Sequence, residues 1–258
     1  PHYHKLTYID KIGGFDGNIY TAFGSALHEV CEHRLTNPNK YSTLDAQKDL
    51  FKKELVKELK KLPQEAKEDA AANHNLEQWK TQGYEIIDEM YESLQSKFGE
   101  IGKDWWVLTA EELLMVPFDD YDFKFKGFID LVIATKDDKI HLIDWKTTSW
   151  GWNSKKKSDS TLAYQLVFYK YFYAKKHDVD PKDVECHFAL LKRTAKPGSK
   201  VEFIRVTTGP KRIENALNTL NTAVYNITNK RYTKNKLNCR SCKDRFGTCE
   251  FYQTEYCS

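Results

Sequence analysis

The stretch that decides the fold reads Gly127-Phe128-Ile129-Asp130-Leu131-Val132-Ile133, then Lys136-Asp137-Asp138-Lys139, then Ile140-His141-Leu142-Ile143-Asp144-Trp145-Lys146. Two β-branched, apolar runs separated by a short polar turn predict a β-hairpin. Residues two apart on a strand share a face, so Asp144 and Lys146 project one way while Ile143 and Trp145 point the other. The hairpin carries Asp130 alongside them. Two carboxylates and a neighbouring backbone carbonyl make a hard, oxygen-rich pocket of the kind Mg²⁺ or Mn²⁺ takes. A lysine in that pocket can orient an attacking water or take its proton, which is the equipment of phosphodiester hydrolysis. An isolated Asp-x-Lys is usually a solvated ion pair on a strand, so its neighbours decide.

After a Gly/Ser/Lys-rich loop comes Ala163-Tyr164-Gln165-Leu166-Val167-Phe168-Tyr169, with Gln165 and Tyr169 spaced i, i+4 on a predicted helix. Upstream, Phe23-Gly24-Ser25-Ala26-Leu27-His28-Glu29 puts a histidine early in another helix. The order of these motifs resembles the PD-(D/E)xK nuclease superfamily. Within it the chain is similar to the RecB-like branch, which includes nuclease domains of recombination helicases, CRISPR-associated RecB-like exonucleases and many phage proteins. A histidine in a Gly-x-x-x-His context, a Gly-x-x-Asp strand, an Asp/Glu-x-Lys strand and a Gln-x-x-x-Tyr helix match His28, Asp130, Asp144 with Lys146, and Gln165 with Tyr169, over residues 20 to 175.

The resemblance implies an α/β fold with a restriction-endonuclease-like core, a central mixed sheet flanked by helices. It implies that Asp130 and Asp144 bind the metal, that the Trp145 carbonyl adds a ligand and that His28 completes the sphere. Lys146 would position the nucleophilic water, and Gln165 and Tyr169 would hold the DNA strand and support the lysine. The family often adds a glutamate on the preceding strand; Glu111 and Glu112 both offer it, and the expectation falls on Glu112. From the family come also the expected activity, an exonuclease on DNA ends or single strands in recombination, repair or phage DNA processing, and the expected partners, a helicase, recombinase or single-strand-binding protein.

Four of the six cysteines, Cys239, Cys242, Cys249 and Cys257, crowd the C-terminal segment. A Cys-x-x-Cys pair grips one ion across a tight turn, and two further thiolates complete a tetrahedral set that suits structural Zn²⁺ or a [4Fe–4S] cluster. Disulfides are the competing reading. Several relatives in the resembled branch pin this segment with an iron–sulfur cluster whose first cysteine precedes the histidine motif. Here no cysteine precedes His28, and Cys31 is the available substitute. Cys186, inside the strand-like Val184–Leu191, reads as core.

With 258 residues, 40% of them hydrophobic, the chain can bury one good core. The expected layout is a single nuclease domain over 1–258, with a helical insertion at 36–100, a core sheet within 101–210 and a cysteine-rich metal-binding segment at 236–258. Elements are expected as a helix at 20–35, charged helices over 42–98, a strand starting at Trp105 and Trp106, the hairpin, a helix at 161–177, strands at 184–192 and 201–206, and a helix at 211–229. No apolar run is long enough for a membrane span, and the start lacks a signal-peptide pattern. A cytoplasm, or a host cytoplasm for a phage protein, is the expected location, and an opening at Pro1 points to a trimmed or excised chain.

The net charge of +3 is too small by itself to announce a nucleic-acid binder. Basic residues nevertheless cluster: Lys155-Lys156-Lys157 follows the hairpin, and Lys192, Arg193, Lys196, Lys200 and Arg205 face only Glu202 among acids in that stretch. Lys155, Lys156, Lys157, Lys192 and Arg193 are the candidate DNA contacts. Two readings of other classes compete: a non-catalytic DNA-binding member of the same fold, and a zinc-ribbon interaction protein or another metal hydrolase. The first would be expected to have lost Asp130, Asp144 or Lys146; the second leaves Lys146 and Gln165 without a purpose.

Overall fold

A computed structural model describes residues 2–13, 17–118, 121–234, 243–244, 247–248, 251 and 254–256. In chain order it runs α1 (His2–His4), a π-helical turn (Lys5–Ile9), α2 (Ile19–Thr36), α3 (Leu44–Lys61), α4 (Gln64–Asn73) and α5 (Leu76–Phe98). Then come β1 (Trp105–Pro117), β2 (Lys124–Thr135), β3 (Ile140–Thr148), α6 (Ser154–Lys157), α7 (Ser160–His177), β4 (Val184–Lys192), β5 (Val201–Val206) and α8 (Pro210–Thr228). A short antiparallel pair, β6 (Lys243–Asp244) and β7 (Gly247–Thr248), lies near the C-terminus.

The chain divides into two compact units. The larger, Gly17–Glu214, holds a five-stranded sheet in the order β1-β2-β3-β4-β5. All neighbours are antiparallel except β3 and β4, which are parallel and joined through α6 and α7. The smaller unit combines Pro1–Asp16 with Asn215–Ser258; within it His2 Nε2 lies 2.8 Å from the Tyr256 carbonyl, and the Tyr3 ring meets the buried Phe251 edge-on.

Local chemistry accounts for these elements. Asn18 caps α2 by accepting from the amides of Tyr20 and Thr21 while Thr21 returns a bond to the Asn18 amide, which is a capping box. Asp159 caps α7 in the same position, accepting from Thr161 N at 2.8 Å. β3 and β4 are largely buried on both faces, as strands of a sheet covered on two sides must be, yet both carry polar residues within that burial, among them His141, Asp144 and His187. One face packs Leu131, Ile133, Ile143, Trp145, Ala189 and Leu191 against α2, α3 and α5. Alternation turns Leu142 and Asp144 to the other face, where α7 lies. The helices at 44–98 therefore share in the core, with Leu50, Leu55 and Ile87 buried as their spacing predicts.

Two irregularities interrupt the sheet. Between Val107 and Thr109 the β1–β2 register shifts by one residue, a bulge that leaves Leu108 extra and exposed. The second is a parting of strands. β2 and β3 pair only from Ala134↔Ile140 to Leu131↔Ile143, after which β2 stays with β1 and β3 stays with β4.

Among the described residues no helix is long and apolar enough to cross a membrane. Cys239, Cys242, Cys249 and Cys257 lie outside the described residues.

Candidate active site

Asp130 and Asp144 are the first residues of their strands beyond the last β2–β3 pair. Parting the strands frees backbone groups that a continued ladder would have used, and such groups need other partners. Asp130 supplies one: its Oδ2 accepts from Trp145 N at 2.7 Å. A charge-assisted bond of this kind contributes about 1.5–3 kcal/mol, so the carboxylate stabilises the opening in which it sits.

Asp144, 1% exposed, is held from two sides. Gln165 Nε2 on α7 donates to its Oδ1 at 2.9 Å and also to the Tyr169 hydroxyl at 3.0 Å. The Lys146 ammonium stands 2.5 Å from Oδ2, which otherwise has no hydrogen-bonding partner. The i, i+4 spacing on α7 thus aims Gln165 at this carboxylate and sets the Tyr169 hydroxyl behind Gln165. Gly127, three residues before Asp130, has a steric reason: a methyl group there would come within 2.8 Å of the Tyr169 ring. Gly24 serves the opposite wall, since its missing side chain lets α2 approach Thr147, whose Oγ1 would be 3.0 Å from a Cβ. One turn further along α2, His28 Nδ1 then reaches 3.7 Å from Asp130 Oδ1.

The glutamate expectation needs correction. Glu112 turns away to Lys176 and His177 at the end of α7, both 2.7 Å from its Oε1. Glu111 joins the cluster instead, its carboxylate lying with His28 and Asp130 so that one atom of each falls within 4.8 Å of the others. The flanking pairs Ala110↔Leu131 and Glu112↔Ile129 set Glu111 opposite Asp130, and its backbone takes φ +51°. Glu29 and Glu32, on α2 beside His28, add negative charge that sequence reasoning missed; they come one and four positions after His28, the second on its own helix face.

Electrostatics here reflect the crowding of acids in a partly dry cleft. Burial first, and then Asp130, Glu32, Glu29 and Asp144, push the Glu111 carboxyl up to about 7. Asp130 and Asp144 are also raised, chiefly by burial, with the nearby Lys146 charge pulling each back. Burial lowers His28, leaving a neutral imidazole able to ligate. The donor set of carboxylates, one carbonyl and one neutral imidazole fits a hard divalent cation.

The other candidates are placed elsewhere. Lys157 and Lys192 pair with Glu202 on β5, at 2.6 and 3.2 Å, toward the far edge of the sheet from β2. Arg193 lies 3.8 Å over the Trp79 ring and donates to Gln82 at 2.7 Å, so it fastens α5 to the sheet rather than meeting solvent. Lys155 and Lys156 are exposed. Cys31 is a packed core residue, its Sγ 3.0 Å from Met90 Sδ and its thiol raised well above the usual range by burial, which removes it as a thiolate substitute. Cys186 is core as expected, its thiol pushed up to about 12.

Comparison with known proteins agrees with this geometry. A search of curated proteins finds no match. Among solved structures, the "Putative exonuclease" of Eubacterium rectale is 13% identical, with 90% of this chain and 76% of that one aligned at a TM-score of 0.53, a likeness of fold. A second structure, SSO0001, is 12% identical over 93% of this chain and 90% of its own, but its TM-score of 0.34 carries no argument. The family described as "PD-(D/E)XK nuclease superfamily" matches residues 1–245. With that match over nearly the whole sequence, and the sheet, the paired aspartates and the lysine in place, the chain belongs to the PD-(D/E)XK nuclease superfamily.

Proposed function

We propose that the chain is a Mg²⁺- or Mn²⁺-dependent deoxyribonuclease acting as an exonuclease on DNA ends or single strands, in recombination, repair or phage DNA processing. The observation that carries the reading is the parting of β2 from β3, which puts Asp130 and Asp144 at one opening with Lys146 against the second of them.

Asp130, Asp144, Glu111, His28 and the Trp145 carbonyl would hold the ion. When bound, it neutralises the phosphodiester and makes water a better nucleophile. Gln165, itself held by the Tyr169 hydroxyl, fixes the Asp144 carboxylate, so that the acceptor is oriented before substrate arrives. Lys146 extends between Asp144 and the Phe188 ring, 6.0 Å away, where its ammonium can orient the attacking water and balance charge as it builds on phosphorus oxygens. Lys155 and Lys156 are available to track the backbone of a bound strand. Cys239, Cys242, Cys249 and Cys257 would hold a [4Fe–4S] cluster or Zn²⁺ as a structural clasp, within one nuclease domain that includes the helical insertion.

The test is cleavage of end-labelled single- and double-stranded DNA with Mg²⁺, Mn²⁺ or EDTA, beside Lys146→Ala. Metal-dependent shortening from the label, lost in the variant, supports the proposal. Binding without cleavage under every condition would replace it with a partner-activated DNA-binding protein of the same fold.

A further inference from the structure

On the opposite face of β3, three residues before Asp144, His141 meets a second group of polar side chains that the nuclease reading does not use. The parallel register sets His141 beside Glu185, and His187 comes two positions later on β4, so the three side chains share one face. His141 Nδ1 lies 3.0 Å from His187 Nε2, and Glu185 Oε2 lies 3.9 Å from each of these nitrogens. The other Glu185 oxygen is taken by Arg205 at 2.6 Å, which steadies the carboxylate without occupying the atom that faces the rings.

We propose that His141, Glu185 and His187 form a second metal site, one selective for Zn²⁺ and similar transition ions, with an open coordination position.

Geometry comes close to what the ion requires. At a Zn–N length of 2.0–2.1 Å, two nitrogens on a tetrahedral ion lie about 3.3 Å apart. The observed imidazole separation of 3.0 Å is within a few tenths of an ångström of that, and Glu185 needs only a small side-chain rotation. The His141 tautomer also suits. Thr135 Oγ1 donates to the Lys139 carbonyl and therefore accepts from His141 Nε2–H at 3.1 Å, which leaves the His141 Nδ1 lone pair facing inward. A histidine ligand is characteristically oriented by such a bond from its other nitrogen. Ligation through Nε2 moves the His187 proton to Nδ1, a buried atom with no hydrogen-bond partner, at a cost that metal binding must offset.

The surroundings keep both rings neutral and give an ion a way in. His187 is 1% exposed, and burial, with His141, Lys97 and Arg205 nearby, lowers it to about 3; burial lowers His141 as well. Glu185 and Asp137 offset Lys97 and Arg205 in the charge balance at His141. The Phe98 ring covers both imidazoles, at 5.0 and 5.7 Å, and a pocket of about 400 Å³ lined also by Lys97 and Asp137 opens onto them. Imidazole ligands favour Zn²⁺ over Mg²⁺, so the two faces of β3 would sort different ions.

Crystals of the full chain soaked in Zn²⁺, with anomalous data at the zinc edge, locate the ion directly. The proposal expects a peak between His141 and His187 that disappears in Glu185→Gln, a conservative change at a part-exposed side chain. In solution, Co²⁺ added to the full chain should give visible bands without thiolate charge transfer for one equivalent, with at least tenfold weaker binding in Glu185→Gln. Zinc found only at the cysteines or beside Asp130 and Asp144, or cobalt bands unchanged in Glu185→Gln, would overturn it.

Discussion

β3 holds titratable clusters of opposite character three residues apart. At His141 the strand is paired on both sides, and its polar side chains are neutral rings bonded to each other. At Asp144 it has lost β2, and acids gather in the opening. A closed ladder satisfies its own backbone, so polar side chains there need only satisfy one another. An open ladder leaves amides and carbonyls that charged groups can use, which is how Asp130 comes to be fixed by Trp145 N. The same strand can therefore offer a soft-ligand site on one face and a hard-ligand site on the other.

The largest expected effect breaks the open end. Asp144→Asn keeps the shape of the Gln165 contact but removes the charge that Lys146 and a metal would share. Cleavage should fall on the order of 10³-fold, several kcal/mol of charge stabilisation, while the circular dichroism spectrum and the zinc response at His141 stay as they were. Normal cleavage by Asp144→Asn would end the assignment of this carboxylate.

Next comes the choice between adjacent glutamates. Glu111→Gln should weaken Mn²⁺-dependent thermal stabilisation by roughly 10–100-fold in effective affinity, a loss comparable to removing a group that supports a metal. Glu112→Gln should leave the metal response unchanged and cost about 1 kcal/mol, because it breaks only a part-buried pairing with the solvent-exposed Lys176 and His177. The reverse ranking would show that the β1 register is wrong.

That pair also marks where the sequence stops being legible. Strand alternation alone puts Asp144 and Lys146 on one face, with Asp130 brought alongside by the hairpin, whereas Gln165, Tyr169 and His28 are singled out only by the order of motifs that resembles the family. Choosing Glu111 depends on pairing. Without the bulge at Leu108, Asp130 would stand opposite Ala110 and Glu112 would share its face; one inserted residue reverses that parity. The basic stretch misleads for a related reason. Lys192, Arg193 and Lys200 read as free surface charge from composition, yet Glu202, Trp79 and Glu85, all distant in sequence or on another element, engage them. The His141–His187 contact was hidden because it needs the parallel register of β3 and β4, which no local pattern specifies. The helix and strand boundaries, by contrast, lie close to those expected, since apolar periodicity and turn residues are local signals.

Packing behind the open end gives a third test. Gly127→Ala would force a methyl group to within 2.8 Å of the Tyr169 ring. Crowding of this kind costs about 1–3 kcal/mol, measurable by urea unfolding. Displacing Tyr169 should also loosen the Gln165 hold on Asp144 and lower kcat more than it raises KM. A fully stable and fully active Gly127→Ala would mean that α7 does not need to sit so close.

The smallest effect is a difference in slope with pH, and it separates the two clusters by sign. The Glu111 carboxyl rises from 4.5 to about 7 on folding, so between those values the folded state keeps a proton that the unfolded state has released. Stability of the metal-free protein then falls as pH increases across that window. His187 moves the other way, from 6.5 to about 3, so the unfolded state binds the extra proton and stability rises with pH between 3 and 6.5. The two contributions oppose each other where the windows overlap. In EDTA, Glu111→Gln should therefore make the rise of Tm with pH steeper than in the parent between pH 4.5 and 6.5, and His187→Asn should make it shallower. Slopes that shift in the same direction in both variants would contradict the contrast between an acid-crowded opening and a ladder closed over neutral rings.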